Sequence, residues 1–217
     1  MRFAVDTGGT FTDLVLEDAR GRVHMFKAPT TPGDPVEGIL AAVQAAAAGL
    51  GTPARDLLRR GELFIHGTTH AINAIITGST ARTAFLTTLG HRDILVIREG
   101  GRIEPFNFLV PFPKPYIPRA LTFEIPERIS SAGEIVAPLD ETATVKVIQT
   151  LRDRNVESVA VCLLWSTVNS RHEDRVGQLL EKHLPGVPYT LSHALNPILR
   201  EYRRASSACI DASLKPL

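Results

Sequence analysis

Cysteine is scarce in this chain, neither sign of charge is in excess, and no long hydrophobic run occurs. The two cysteines, Cys162 and Cys209, lie far apart and without paired spacing. This pattern excludes a disulfide framework and a cysteine-rich zinc site. We expect both cysteines to be small buried hydrophobic residues.

The charge balance excludes whole classes of partner. Lysine and arginine number 24 against 23 aspartates and glutamates, for a net charge of +1, so we expect neither nucleic acid nor an anionic membrane as a partner. No run approaches the roughly 18 apolar residues of a membrane span, and the apolar stretch after Met1 is too short for a signal peptide. We therefore expect a soluble cytoplasmic protein.

The composition is that of a folded chain. The 217 residues are 44% hydrophobic and 22% charged, and the mean hydropathy is +0.04. This apolar share is enough to build a core and excludes general disorder. The length suits one large or two small domains.

Breaker residues divide the first part of the chain into short elements. Apolar runs at 2–5, 11–16 and 22–26 are separated by turn residues and predict three strands in an antiparallel meander. The spacing after them predicts further elements. These are a helix at 36–50, a short buried strand at 62–66, a helix at 69–76 and a strand at 82–88.

A stretch rich in proline and aromatic residues, 100–118, predicts an irregular excursion, of which 105–118 is a candidate docking surface for a partner. A second α/β module is predicted after it. Its elements are a strand at 120–128, a helix at 140–154 with Asp140 as N-cap, a strand at 158–164, a helix at 170–183, a strand at 187–192 and a helix at 197–213. The predicted organisation is thus 1–98, 99–118 and 119–217.

The most informative stretch is Asp6-Thr7-Gly8-Gly9-Thr10-Phe11-Thr12-Asp13, which places two glycines and several hydroxyls in a turn between two strands. Glycines let backbone N–H groups approach phosphate oxygens closely, and threonine hydroxyls add donors. Asp6 and Asp13 suit Mg²⁺ held largely through water, or the orientation of an attacking group. The alternative is a plain hairpin turn flanked by ordinary turn or cap residues.

A second candidate region is the predicted strand-to-helix junction that contains His66, Thr68, Thr69 and His70. Helix N-terminal N–H groups and hydroxyls there can meet an anionic oxygen, and a histidine can pass a proton. The alternative is an N-cap threonine beside a buried, hydrogen-bonded His66.

The stretch 6–13 and the order of elements around it resemble the first phosphate loop and the ribonuclease-H-like half-domain of the actin, sugar-kinase and heat-shock-chaperone ATPase superfamily. Further motifs narrow the resemblance to the hydantoinase A / 5-oxoprolinase family, which includes the ATP-binding subunits of acetone and acetophenone carboxylases. These motifs are His66-Gly67-Thr68-Thr69, Asn73-Ala74, Pro126-Glu127-Arg128 and Arg200-Glu201-Tyr202.

The resemblance implies an α/β fold with ATP and Mg²⁺ as cofactors, and phosphorylation of a carbonyl or enolate oxygen in a ketone or a cyclic amide. It implies catalytic roles for Asp6, Asp13, His66, Thr68 and Thr69, of which the two aspartates also hold the metal. It further implies a set of cofactor-binding residues, namely Thr7, Gly8, Gly9, Thr10, Thr12 and Gly67.

The sequence also departs from the family. Relatives close the ATP site with a second glycine-threonine loop, whereas the other Gly-Gly pair here, Gly100-Gly101, is followed by Arg102. Thr77-Gly78 stands where relatives tend to show charged residues, which puts the substrate contact there in doubt. We therefore expect a subunit completed by partners, a fragment of a longer product, or a degenerate copy kept as a non-catalytic structural subunit.

Two groups of charged residues give weaker indications. Arg98 and Arg102 are candidates for a phosphate or carboxylate contact, although exposed loop arginines are more often solvated. Arg200, Glu201, Arg203 and Arg204 predict a salt-bridged helix face or a partner contact.

Overall fold

The computed structural model describes residues 1–31, 33–100, 104 and 106–217. The chain forms two compact units, Met1–Ser79 and Thr80–Leu217. This division differs from the predicted boundary after residue 98. The strand Thr83–Thr88 pairs with strands of the second unit, and it therefore belongs to that unit.

The first unit contains a mixed four-stranded sheet. Its strands are β1 (Arg2–Thr7), β2 (Phe11–Glu17), β3 (Val23–Pro29) and β4 (Leu63–Thr68). The order is β3-β2-β1-β4; β1, β2 and β3 pair antiparallel, and β4 lies parallel to β1. The predicted meander is confirmed.

Three helices complete the first unit: α1 (Pro35–Leu50), α2 (Ala54–Arg59) and α3 (His70–Thr77). The side chain of Asp34 accepts a hydrogen bond from the backbone N–H of Val36, and Gly51 ends α1 in the left-handed region at φ 63°. The helix predicted at 36–50 is confirmed, while α2 was not predicted.

The core of the first unit lies between α1 and one face of the sheet. Phe3, Val5, Leu14 and Leu16 point into it from β1 and β2. The prediction of a buried strand at 62–66 is wrong, because every residue of β4 is exposed. In the described residues β4 is the edge of the sheet, and its side chains have few neighbours to cover them.

The second unit contains a parallel sheet in the order β10-β9-β5-β6. Its strands are β5 (Thr83–Thr88), β6 (Thr122–Ile125), β9 (Ser158–Cys162) and β10 (Tyr189–Leu191). A separate hairpin is formed by β7 (Arg128–Ile129) and β8 (Ile135–Ala137). The strand predicted over 120–128 is thus interrupted after Ile125, where Pro126 has no backbone N–H to donate.

The second unit also contains the helices α4 (Ile94–Ile97), α5 (Glu141–Asp153), α6 (Arg171–His183), α7 (Ser192–Leu195) and α8 (Glu201–Leu214). Asp140 caps α5 by accepting a hydrogen bond from Ala143 N, as predicted. The last helix begins at Glu201 rather than near Pro197. Cys162 and Cys209 are buried, and burial raises the pKa of Cys162 to about 12.

The described part of the excursion, 100, 104 and 106–118, forms neither helix nor strand. Phe106 and Leu109 are almost fully exposed there. Gly101, Arg102, Ile103 and Pro105, which include part of the predicted docking surface, lie outside the described residues. No helix within the described ranges is long and apolar enough to cross a membrane.

Candidate functional site

A tight hairpin joins β1 to β2 and carries the two glycines. It closes through a hydrogen bond of 2.9 Å from Gly8 N to Phe11 O. A Cβ atom on Gly8 would lie 3.0 Å from that same carbonyl oxygen, and one on Gly9 would lie 3.3 Å from Asn73 Nδ2. A side chain at either position would force its neighbour to shift, and glycine leaves the backbone open to the close approach that a phosphate needs.

The strand register divides the predicted site residues between two faces of the sheet. Asp6 pairs with Asp13, and Thr7 pairs with Thr12. Successive side chains of a strand point to opposite faces. The two threonines are therefore buried on the face that packs against α1, while Asp6 is exposed and Asp13 half-buried on the other, open face.

The hydroxyls on the buried face have partners. Thr7 Oγ1 lies 3.0 Å from His66 Nε2, and Thr12 Oγ1 lies 2.9 Å from Thr30 Oγ1. The alternative that made His66 a buried, hydrogen-bonded strand residue is confirmed in its strand and its hydrogen bond, but its burial is wrong, because His66 is exposed. Thr30 also donates its backbone N–H to the Thr10 carbonyl at 3.0 Å, which ties the segment after β3 to the hairpin.

The strand-to-helix junction packs against the same hairpin. Thr68 Oγ1 donates to the Thr7 carbonyl at 3.2 Å and accepts from His70 N at 3.1 Å. The side chain of Thr69, the residue before α3, caps no backbone N–H but accepts from Asn73 Nδ2 at 3.2 Å. The threonine hydroxyl expected to cap the helix at this junction is therefore that of Thr68, which accepts a hydrogen bond from the backbone N–H of His70.

A cleft of about 210 Å³ opens between the hairpin, the segment after β3 and the start of α3. Four of its lining residues are predicted site residues: Thr7, Gly8, Gly9 and Thr68. The remaining lining residues are Thr30, Thr31, Pro35, His70 and Asn73. Sequence reasoning missed Thr30 and Thr31, because only the tertiary fold brings the end of β3 beside the hairpin.

The open face carries the two carboxylates. Asp13 forms an ion pair of 3.2 Å with Lys27 of β3, whereas the side chain of Asp6 has no partner among the described residues. Two carboxylates directly opposite on neighbouring strands repel each other unless a cation lies near, and Lys27 supplies one for Asp13. The carboxylate oxygens of the pair are the kind of donor that fits a Mg²⁺ ion held mainly through water, although the described part of the chain contains no group of three or more metal-ligating residues.

Gly67 and Thr10 also lie at the hairpin. Gly67 is paired with Asp6 in the β1-β4 register, and a Cβ atom on it would make only an ordinary contact of 3.9 Å with Asp6 Oδ1. Thr10 is exposed at the tip of the turn. The structure therefore shows no steric need for glycine at position 67.

In the second unit, the motif residue Glu127 belongs to a buried polar network at the carboxyl ends of the strands. Glu127 accepts hydrogen bonds from Thr88 Oγ1 and, at 2.8 Å, from His172 Nδ1. Arg128 Nη1 donates to His91 Nε2 at 3.0 Å. The sequence motif Pro126-Glu127-Arg128 is thus explained at least in part by hydrogen bonding within the unit.

A second buried network contains Arg204 and Glu173, both of which are fully buried. Arg204 donates to Ser192 Oγ at 3.1 Å and to the Leu163 carbonyl at 2.9 Å, while Glu173 accepts from Leu163 N at 2.8 Å. His193 Nδ1 lies 2.9 Å from Glu173, and this hydrogen bond raises the pKa of His193.

The other charged candidates have ordinary partners. Arg203 and Arg200 both pair with Glu99, at 2.9 and 3.5 Å, which confirms a salt-bridged surface for these two residues, with a partner outside the helix. For Arg204 the prediction is wrong, because that residue is buried. Arg98 donates to the Lys114 carbonyl at 3.1 Å. Arg102 lies outside the described residues.

Known proteins resemble this chain over its whole length. The chain is 36% identical over 218 residues to the caprolactamase subunit alpha of Pseudomonas jessenii, with 100% of this chain and 31% of that protein covered. It is 37% identical over 224 residues to the acetophenone carboxylase gamma subunit of Aromatoleum aromaticum, with 97% of this chain and 30% of that protein covered. The chain thus spans about a third of the length of these relatives.

Solved structures show the same fold. The crystal structure of the ATP-dependent caprolactamase from Pseudomonas jessenii superimposes with a TM-score of 0.87 at 36% identity, covering 100% of this chain and 32% of that one. A nucleotide-free acetone carboxylase superimposes with a TM-score of 0.88 at 23% identity, with 100% and 32% covered, and supports the fold alone. The expected α/β fold of the actin-like ATPase type is confirmed.

The family model described as the hydantoinase/oxoprolinase N-terminal region matches residues 2–184. This match covers most of the chain and agrees with the relatives and with the fold. The chain therefore belongs to the hydantoinase/oxoprolinase family and corresponds to its N-terminal region.

Proposed function

We propose that this chain supplies the first phosphate-binding loop of an ATP-dependent enzyme that phosphorylates a carbonyl or enolate oxygen. The substrate is a ketone that is then carboxylated or a cyclic amide that is then hydrolysed. The solved relative that is 36% identical to this chain is named an ATP-dependent caprolactamase. The observation that carries the proposal is the two-glycine hairpin, where a Cβ atom would lie 3.0 Å from the Phe11 carbonyl oxygen at Gly8 and 3.3 Å from Asn73 Nδ2 at Gly9.

Phosphoryl transfer asks the protein for position and charge rather than for a strong nucleophile. In the proposed site the Gly8-Gly9 backbone receives nucleotide phosphate, and hydroxyls of Thr7, Thr10 and Thr12 support that loop. Asp6 and Asp13 would hold Mg²⁺, which when bound neutralises phosphate charge. The exposed Asp6 side chain is available for this role.

His66, Thr68 and Thr69 lie at the same end of the sheet and are proposed to act on the oxygen that is phosphorylated. Thr68 is fixed by two hydrogen bonds, and His66 by one to Thr7. The imidazole can hold or pass a proton, and hydroxyl donors can stabilise the negative oxygen.

Other polypeptide must complete this site under the proposal. The relatives are named as subunits, alpha and gamma, and this chain matches about a third of each. We therefore propose a cytoplasmic enzyme of several subunits in which the chain is inactive alone. The described excursion residues, among them Phe106 and Leu109, remain the proposed docking surface.

The test compares two carboxylate variants of the complete enzyme, Asp6→Asn and Glu17→Gln. Both side chains lie on the open face of the same strand pair, but Glu17 is at the far end, 3.7 Å from Arg2. We expect Asp6→Asn to lower ATP turnover by about 100-fold or more, and Glu17→Gln to leave it unchanged.

Native mass spectrometry of the same preparations shows whether the subunits stay assembled and whether Mg²⁺-ATP adds mass. Loss of turnover in Asp6→Asn with intact assembly supports the proposal. Turnover that is indifferent to Asp6 contradicts it and favours a non-catalytic structural subunit.

A further inference from the structure

The cleft of about 210 Å³ differs in chemistry from the open face that carries Asp6 and Asp13. No carboxylate lines it; its polar side chains are threonine hydroxyls, the Asn73 amide and the His70 imidazole. An anion placed there meets no negative charge from the lining residues. The cleft is also smaller than the roughly 300–1,000 Å³ typical of pockets for drug-sized ligands, and it suits a single small group.

Several donors that line the cleft are not used within the protein. Among the described residues, the Thr31 hydroxyl and the His70 ring have no hydrogen-bond partner. Asn73 Nδ2 donates one hydrogen bond to Thr69 Oγ1 at 3.2 Å. Because an amide nitrogen carries two hydrogens, a second N–H is left to donate to a ligand. The same nitrogen lies over Gly9, 3.3 Å from where a Cβ atom would be.

The other walls are held in place by their own hydrogen bonds. Thr7 is bonded to His66, Thr30 to Thr12, and Thr68 to backbone on either side. Donors held by a rigid surround bind an oxyanion without the cost of ordering them first. The free donors Thr31, His70 and Asn73 therefore face a preformed cleft.

We propose that this cleft binds one small oxyanion, a carboxylate or phosphate group of the non-nucleotide substrate or product, through Thr31, His70 and Asn73. The inference rests on the proposed function for the identity of the reaction, but not for the binding itself. Gly8 and Gly9 line part of the cleft, so the two ligands would meet the loop from different sides. We place the nucleotide phosphate on the side of the open face, with Asp6 and Asp13, and the oxyanion on the side of Pro35 at the start of α1.

The experiment titrates the complete enzyme separately with inorganic phosphate, acetate and Mg²⁺-ATP, using calorimetry. Thr31→Val and Asn73→Leu remove donors from the cleft, and Thr52→Val removes a comparable hydroxyl of the first unit outside it. Thermal unfolding checks that each variant is folded. The acetate and phosphate arms distinguish a carboxylate ligand from a phosphate ligand.

We expect Thr31→Val and Asn73→Leu to weaken binding of phosphate or acetate by about tenfold or more, with Mg²⁺-ATP binding kept and Thr52→Val unchanged. Equal losses for Mg²⁺-ATP and the small anions would overturn the inference, because the cleft would then be part of the nucleotide site. It is also overturned if the wild type binds neither anion, or if both variants bind them normally. Absence of Mg²⁺-ATP binding with anion binding intact would refute only the proposed function.

Discussion

The two sheets of this protein differ in how they are covered. The sheet of the first unit packs α1 on one face and leaves the other open, with Met25 75% and Ile65 55% exposed. In the second unit, every residue of the central strands β5 and β9 is buried. The open sheet carries the candidate site, and the covered sheet carries the larger hydrophobic core.

This difference accounts for the position of the candidate site in the first unit. Open backbone and exposed carboxylates can meet a ligand, whereas side chains sealed inside a parallel sheet contribute mainly to stability. The difference in burial is greatest between β4 and β5, since every residue of β4 is exposed and every residue of β5 is buried. Substitutions in matched pairs test how far it extends.

The largest expected effect is on the two phenylalanines of these strands. Phe85→Ala in β5 removes a fully buried ring and should lower the free energy of unfolding by about 4 kcal/mol. Phe64→Ala in β4, 45% exposed and stacked on Phe3, should cost about 1 kcal/mol or less. Urea unfolding followed by circular dichroism measures both, and equal losses would refute the contrast.

A second pair compares buried and exposed arginines within the second unit. Arg204→Met removes the donors to Ser192 Oγ and to the Leu163 and Ile198 carbonyls and should cost about 3 kcal/mol. Arg203→Met breaks an exposed pair with Glu99 and should cost less than about 1 kcal/mol. Trp165, the only tryptophan, lies in this unit, so its fluorescence reports the unfolding. A costly Arg203→Met would contradict the ranking.

A smaller effect probes how closely the first unit packs on its covered face. A Cβ atom on Gly38 of α1 would lie 2.9 Å from Thr12 Oγ1, whereas one on Gly33 would meet nothing within 4 Å. Gly38→Ala should destabilise by about 1–2 kcal/mol despite the better helix propensity of alanine, and Gly33→Ala should be near neutral. Chemical unfolding measures the free energy of unfolding of both variants. A Gly38→Ala variant more stable than the wild type would show that the packing between α1 and the sheet is loose.

The smallest expected effects are opposite pH dependences in the two units. The Glu173 hydrogen bond raises the pKa of His193, so its stabilisation is present below about pH 6.5 and is lost as pH rises through the folded-state pKa. In the first unit, the Arg22 and Arg20 backbone N–H groups lower the pKa of Asp18, so its stabilisation is present above about pH 3.9 and is lost in acid.

Unfolding curves of His193→Gln and Asp18→Asn, each compared with the wild type from pH 3 to 9, test these signs. The deficit of His193→Gln should shrink toward high pH, and that of Asp18→Asn toward low pH. Deficits that do not change with pH would show that neither group is linked to folding through its proton.

Local pattern was enough to predict much of the fold. The hairpin between β1 and β2 follows from Gly8-Gly9 between alternating runs, and α1 follows from the helical spacing of an alanine-rich segment. Asp140 as an N-cap is another example. These features depend on contacts between near neighbours in the chain, which sequence displays directly.

Burial of β4 and membership of β5 could not be predicted in this way. Both are short apolar runs, and their surroundings depend on which strands lie beside them. Asp6 and Thr7 lie on opposite faces of the sheet because successive side chains of a strand alternate. This placement could have been predicted from the sequence but was not among the predictions. No local sequence pattern indicated that Thr30 and Thr31 line the cleft, because the tertiary fold brings them beside the hairpin.

The sequence by itself determined the two-glycine hairpin, the N-cap Asp140 and the membership of the family, because these depend on residue types at short, fixed spacing. Only the tertiary structure decided which face each site residue occupies, which hydroxyls line one cleft and which arginine is buried. Those outcomes depend on contacts between residues far apart in the chain, such as Thr7 with His66 and Leu163 with Arg204, and no local pattern contains them.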